Sequence, residues 1–151
     1  MKKLIVLVMV FCFAITLSSY AQQSVSQKDK FEATYNHSKA LAKSQNYVFT
    51  GEWIYDGKKR EQLNGSTNKI TINKSNSSGT LNLFSKENKT IALNGAIKNY
   101  KVVYGDKNQR VSISFNIKKT NVAIEIAMNG NAFLKIIFND GTTISYAGKL
   151  K

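Results

Sequence analysis

Tyr47, Phe49, Trp53 and Tyr55 recur at odd positions over nine residues, with Gly51 between them. Successive side chains of a β-strand point to opposite faces, so this spacing predicts one aromatic face. Such a face has two uses. It packs a core, the normal fate of side chains inside a small barrel. Alternatively it lines an apolar pocket with tyrosine hydroxyls at the rim, the usual makeup of a small-molecule site. Phe115 and Tyr146 come from later alternating segments, and Tyr100, Tyr104 and Phe138 belong to the same class. The candidate ligand-binding residues are therefore Tyr47, Phe49, Trp53, Tyr55, Phe115 and Tyr146.

Residue types for covalent or metal chemistry are scarce. His37 is the sole histidine, and no Gly-x-Ser-x-Gly turn offers a nucleophile for it to activate. Zinc sites draw several ligands from His and Cys, and calcium loops alternate Asp and Asn; neither pattern occurs. Most of the nine carboxylates fall at turns, whereas Glu52 and Glu125 sit within strands. Two carboxylates facing one cleft at the right separation would hydrolyse a glycan. The sequence fixes no such distance. The reading is of no catalytic residue, no metal ligand and no cofactor, so not an enzyme, with glycan hydrolysis as the third-ranked function.

The elements that position these residues follow from periodicity. From Lys30 the spacing is helical, with Phe31, Tyr35, Ser38, Leu41 or Ala42, and Gln45 on one side, ending near Ser44-Gln45-Asn46. Beyond it, period-two alternation recurs to Leu150, as in Val111, Ile113, Phe115 and Ile117, with polar residues between. Asp56-Gly57, Asn64-Gly65, Gly105-Asp106, Asn129-Gly130 and Asp140-Gly141 mark tight turns, and no spacer holds a crossover helix. Ile91 to Ile97 and Tyr100 to Tyr104 read as separate strands, and Ser75 to Gly79 as a polar loop. The fold class is mainly β: an antiparallel meander of about eight strands, a barrel or sandwich, with one N-terminal α-helix. Val48 with Ile54, and Phe133 with Ile137, put apolar residues on the face opposite the core. The helix, through Phe31, Tyr35 and Leu41, is expected to cover them.

Lys2 and Lys3, the 14-residue apolar run Leu4 to Leu17, and Ser18-Ser19-Tyr20-Ala21 have the layout of a secretory signal peptide cut between Ala21 and Gln22. The run is shorter than the roughly 20 residues a membrane-crossing helix needs. Residues 1–21 are read as signal peptide, 22–29 as a flexible leader and 30–151 as a single domain. Cys12, the only cysteine, leaves with the signal, and bulky Phe11 before it does not suit a lipoprotein cleavage motif. The expected location is the periplasm or the exterior, as a soluble protein that is neither membrane-spanning nor lipid-anchored. The formal charge is +13, or +11 without Lys2 and Lys3, which favours anionic surfaces and polymers. Export argues against nucleic acid as the partner.

Ala40-Leu41, Tyr47-Val48-Phe49, Leu93-Asn94-Gly95-Ala96-Ile97-Lys98-Asn99-Tyr100, Gly130-Asn131-Ala132 and Ile144-Ser145-Tyr146-Ala147-Gly148-Lys149-Leu150 together form a recognisable layout. It resembles the small exported Bacteroidetes proteins of the domain of unknown function 4251 family, over roughly Phe31 to Leu150. The resemblance implies a lipocalin-like antiparallel barrel in the cell envelope and carries over no catalytic residue. The leading functional expectation is a non-catalytic exported barrel that binds a small apolar or amphipathic ligand. The alternative is a structural or interaction protein that binds anionic envelope polymers through its basic surface.

Overall fold

Helix α1 (Gln27–Ser44) starts where Ser26 offers its side chain as a cap: the Asp29 amide donates to Ser26 Oγ at 3.1 Å. In this computed structural model the described residues are 26–151 without Lys58. The expected signal peptide, its cleavage point and leader residues 22–25 lie outside them. Gln27 to Asp29, read from sequence as leader, are helical. The helix stops as expected, where Gln45 adopts a left-handed φ of 51°.

Ten strands follow: β1 (Asn46–Asp56), β2 (Lys59–Gln62), β3 (Lys69–Asn73), β4 (Asn76–Asn82), β5 (Thr90–Ala92), β6 (Gly95–Gly105), β7 (Arg110–Ile117), β8 (Thr120–Ile126), β9 (Asn131–Ile137) and β10 (Thr143–Leu150). Eight close a circuit, β1-β3-β4-β6-β7-β8-β9-β10 and back to β1, every pairing antiparallel. The meander is thus a closed barrel. Closure leaves none of these eight without a partner on either side. The remaining two, β2 and β5, pair with the far ends of β1 and β4. Residues 31–151 make one unit.

Two element readings are corrected and one strand is new. The chain from Gly95 to Gly105 is one strand, because an irregularity between Lys98 and Lys101, with Asn99 at φ 53°, adds a residue without ending the pairing. The polar stretch from Ser75 contains the start of β4, where buried Ser77 donates to the Leu93 carbonyl at 2.7 Å. The charged segment Lys59–Gln62 forms β2.

A third correction changes the site. On β1, Gly51 faces Gly148 and Trp53 faces Ala147, so Glu52 is an extra residue in a β-bulge. The parity of the strand reverses there. Tyr47, Phe49 and Ile54 are buried in the core, whereas Trp53 and Tyr55 lie on the outer face. The bulge brings backbones together: a Cβ on Gly148 would sit 1.8 Å from the Thr50 carbonyl oxygen.

The interior is occupied by aliphatic and aromatic side chains, among them Phe49, Ile54, Ile70, Leu81, Ile113, Ile124, Leu134, Ile136 and Tyr146, each nearly inaccessible. Asn68 is fully buried beside the bulge. Its amide donates to the Asn64 carbonyl at 2.9 Å, its side-chain oxygen accepts from the Asn82 amide at 2.6 Å, and its own carbonyl accepts from Gly51 at 2.8 Å. It ties β1 to β4 where β1 changes face.

The expected helix face is correct: Tyr35, Ser38 and Ala42 are buried, and Phe31, Leu41 and Gln45 half-buried. Its expected partner is not. Tyr35 donates to Asp106 Oδ1 at 2.8 Å, Lys39 pairs with the same oxygen at 3.2 Å, and Tyr100 donates to the Ala42 carbonyl at 2.9 Å. A Cβ on Gly130 would lie 3.1 Å from Thr34 Cγ2. The helix therefore rests against the β6–β7 and β8–β9 turns at one end of the barrel. Phe133, which it was expected to cover, remains 49% exposed.

Candidate functional site

The six candidate residues are divided by the barrel wall. Tyr47, Phe49, Phe115 and Tyr146 are buried, and three of them are fixed by contacts of their own. Tyr146 donates to the Asn82 carbonyl at 3.1 Å, the Tyr47 and Tyr100 hydroxyls are hydrogen-bonded at 3.3 Å with Tyr100 accepting because its own proton goes to the Ala42 carbonyl, and the Tyr100 and Phe115 rings stack with centroids 6.0 Å apart. Burial raises the Tyr47, Tyr100 and Tyr146 hydroxyls above the ordinary phenol range, which keeps them neutral donors. These residues are core. Trp53 and Tyr55 are half-buried on the outside, where Arg60 of β2 lies 5.4 Å from the Trp53 ring centroid.

Outside, the register places side chains in three rows that cross the strands. The first runs Trp53, Ala147, Phe133, Glu125, Ser112, Val103 from β1 to β6. The second runs Tyr55, Ser145, Lys135, Ala123, Ser114, Lys101 over the same strands. The third runs Thr143, Ile137, Asn121, Asn116, Lys98 from β10 to β6. In the second row Ser145, Ala123 and Ser114 are short, and taller side chains stand in the rows on either side. The result is a trough.

This trough has a volume of about 610 Å³ between Tyr55, Phe133 and Val103, with Ser112, Ser114, Ala123 and Ser145 on its floor, Glu125 beside Phe133, and Lys135 rising between Ser145 and Ala123. A second concavity of about 520 Å³ shares Ser114 and Ala123 and extends past Asn116, Asn121 and Ile137. A third, about 260 Å³, shares Tyr55 and Phe133 and reaches Trp53 and Ala147. The three make a groove on the outer face with apolar walls and hydroxyl and amide groups along it.

Its charges are uneven. Glu125 is held by Arg110 at 2.7 Å, both ends about half exposed, a geometry that contributes little to stability. Among the described residues Lys98, Lys101 and Lys135 are in no ion pair. Next to them Asn99 donates to Asn116 at 3.2 Å and Asn116 donates to Asn121, an amide chain that crosses β6, β7 and β8.

Of the candidate glycosidase pair, Glu52 is on β1 and Glu125 on β8, with their strands three spacings apart around the wall, and Glu125 is already paired with Arg110. His37 is exposed on α1. Among the described residues no three His, Cys, Asp or Glu side chains cluster as metal ligands, and no helix is long and apolar enough to cross a membrane.

Sequence reasoning missed most of this groove. The available signal was Phe133 and Ile137, apolar on the face opposite the core, together with small Ala123 beside them in the sheet.

No curated protein matches the chain. The structure is similar to a crystal structure of a DUF4251 family protein from Bacteroides eggerthii, with a TM-score of 0.64 at 18% identity over 78% of this chain and 87% of that one. That likeness speaks to the fold alone. The family model "Domain of unknown function (DUF4251)" matches residues 29–150, nearly the whole described chain, and the protein belongs to that family.

Proposed function

We propose that this is a non-catalytic exported protein of the cell envelope that holds an amphipathic ligand in the outer groove of β1 and β6–β10. The observation that carries the reading is the 610 Å³ trough, walled by Tyr55, Phe133 and Val103 and floored by three serines and Ala123, on a face that α1 leaves uncovered. Apolar walls with a few polar groups are the usual makeup of a binding site. The filled interior moves the expected pocket from inside the wall to outside it.

Trp53 is the only tryptophan, and it sits in the same row as Phe133 with Ala147 between them. Its emission reports on the groove. Titration of the full chain with laurate, a bile acid, a hydrophobic pigment and short oligosaccharides should shift Trp53 emission for at least one class. Phe133→Ser should abolish the shift. No response to any probe, or a response that survives Phe133→Ser, would overturn the proposal.

The alternative, binding of anionic polymers through the basic exterior, is favoured by one observation: Lys98, Lys101 and Lys135 stand on one outer face in no ion pair. Salt separates the two. Binding by charge alone weakens steeply between about 50 and 200 mM salt, whereas binding to apolar walls changes little.

A further inference from the structure

We infer that the groove's ligand is an acidic oligosaccharide laid across the strands; the inference rests on the groove being a binding site, as proposed above. A sugar ring presents C–H bonds on its faces and hydroxyls around its edge. Phe133 and Tyr55 supply flat, electron-rich surfaces for the faces. Serine hydroxyls and asparagine amides both donate and accept, as sugar hydroxyls do, and both line the groove.

The amide chain gives this a direction. Asn99 donates to Asn116 and Asn116 to Asn121, so the chain presents an acceptor at Asn99 and a donor at Asn121, next to Ile137. An acyl chain has no use for these groups. The second row spans about 19 Å from β10 to β6, enough for several linked rings. Charge selects further, because Lys98, Lys101 and Lys135 are in no ion pair along the β6–β9 part of the groove, where the carboxylate, Glu125, is taken by Arg110; the other carboxylate, Glu52, lies at the far Trp53 end. The positive field favours a glycan that carries carboxylate or sulfate groups.

Isothermal titration of the full chain with a short oligogalacturonate, the matching neutral galactose oligomer, laurate and polyphosphate tests this. The oligogalacturonate should bind, and more tightly than the neutral oligomer. Phe133→Ala should weaken it roughly tenfold and Asn121→Ala several-fold. Lys101→Gln with Lys135→Gln should erase the preference over the neutral oligomer. These residues are on the surface, and unchanged melting of each variant separates lost binding from lost folding. Binding of laurate with no oligosaccharide bound would leave the groove proposal standing and end this inference. Equal affinity for the neutral oligomer would overturn the acidic specificity. Polyphosphate bound as well as the glycan, with Phe133→Ala harmless, would reduce the interaction to charge and also overturn it. Silence from every probe would end this inference and leave the groove proposal to its own bile acid and pigment titrations.

Discussion

The two halves of β1 carry the same kinds of residue and have opposite fates. Before the bulge Tyr47 and Phe49 point inward and are fully packed; after it Trp53 and Tyr55 point outward and border a groove. One extra residue, Glu52, makes the difference, because a one-residue slip sends every later side chain to the other face. Aromatic content therefore does not tell core from binding surface. Strand parity does, and parity is set by backbone contacts at Gly51 and Gly148.

The largest effect should come from the inner half. Phe49→Ala empties a fully buried site and should destabilise by about 3–5 kcal/mol, whereas Trp53→Ala should cost about 1 kcal/mol, as read by denaturant unfolding. Similar losses from both would break the comparison. Gly148→Ala tests what holds the parity. Its Cβ would meet the Thr50 carbonyl at 1.8 Å and the Glu52 nitrogen at 3.2 Å, both backbone atoms that cannot swing aside. A loss of about 3 kcal/mol is expected.

Legibility follows the same division. The period-two pattern of β7, β8 and β9 made their inner faces readable residue by residue, and Val111, Ile113, Phe115 and Ile117 are all buried. The helix face and its stop were equally plain. What sequence could not supply were long-range backbone events. The Glu52 bulge depends on β10, and the continuity of β6 depends on β7. Two-residue turns at Lys74 and Lys118 adopt left-handed φ of 52° and 54° with lysine, a residue that gives no turn signal. The helix had the right face and the wrong address, because its anchors Asp106 and Tyr100 are polar contacts with distant strands. The groove was legible only as a defect: Phe133 and Ile137 put apolar side chains on the face opposite the core, and the trough beside them exists because Ala123 and Ser145 face the same way from the two strands that flank β9.

Asn68 sharpens the link between the bulge and the rest of the wall. Asn68→Ala leaves the half-buried Asn82 amide without its 2.6 Å acceptor and should lower stability by about 2 kcal/mol. The inner tyrosines add an effect confined to alkaline pH. Burial, then the bond to Asp106, pushes Tyr35 up to about 12, and burial raises Tyr47, Tyr100 and Tyr146. The unfolded chain ionises its phenols near pH 10, so from there upward it binds fewer protons than the folded chain. Stability is complete below pH 10 and falls above it, for Tyr35 across the window from 10 to about 12. Phenolate absorbance that rises together with unfolding, rather than before it, is the expected record.

The smallest expected change in stability belongs to the outer half of the comparison and says most about its purpose. Phe133 is 49% exposed, with neighbours in its row as different as Ala147 and Glu125. Phe133→Ser should shift unfolding by no more than about 0.5 kcal/mol, the ordinary range for a surface position. A core that does not need this phenylalanine leaves solubility as the main physical pressure on it, and serine satisfies that pressure better. An unchanged melting curve combined with lost Trp53 response to ligand would assign the side chain to binding. A loss of 2 kcal/mol or more would instead make Phe133 part of the packing, and the groove would be a seam between structural side chains.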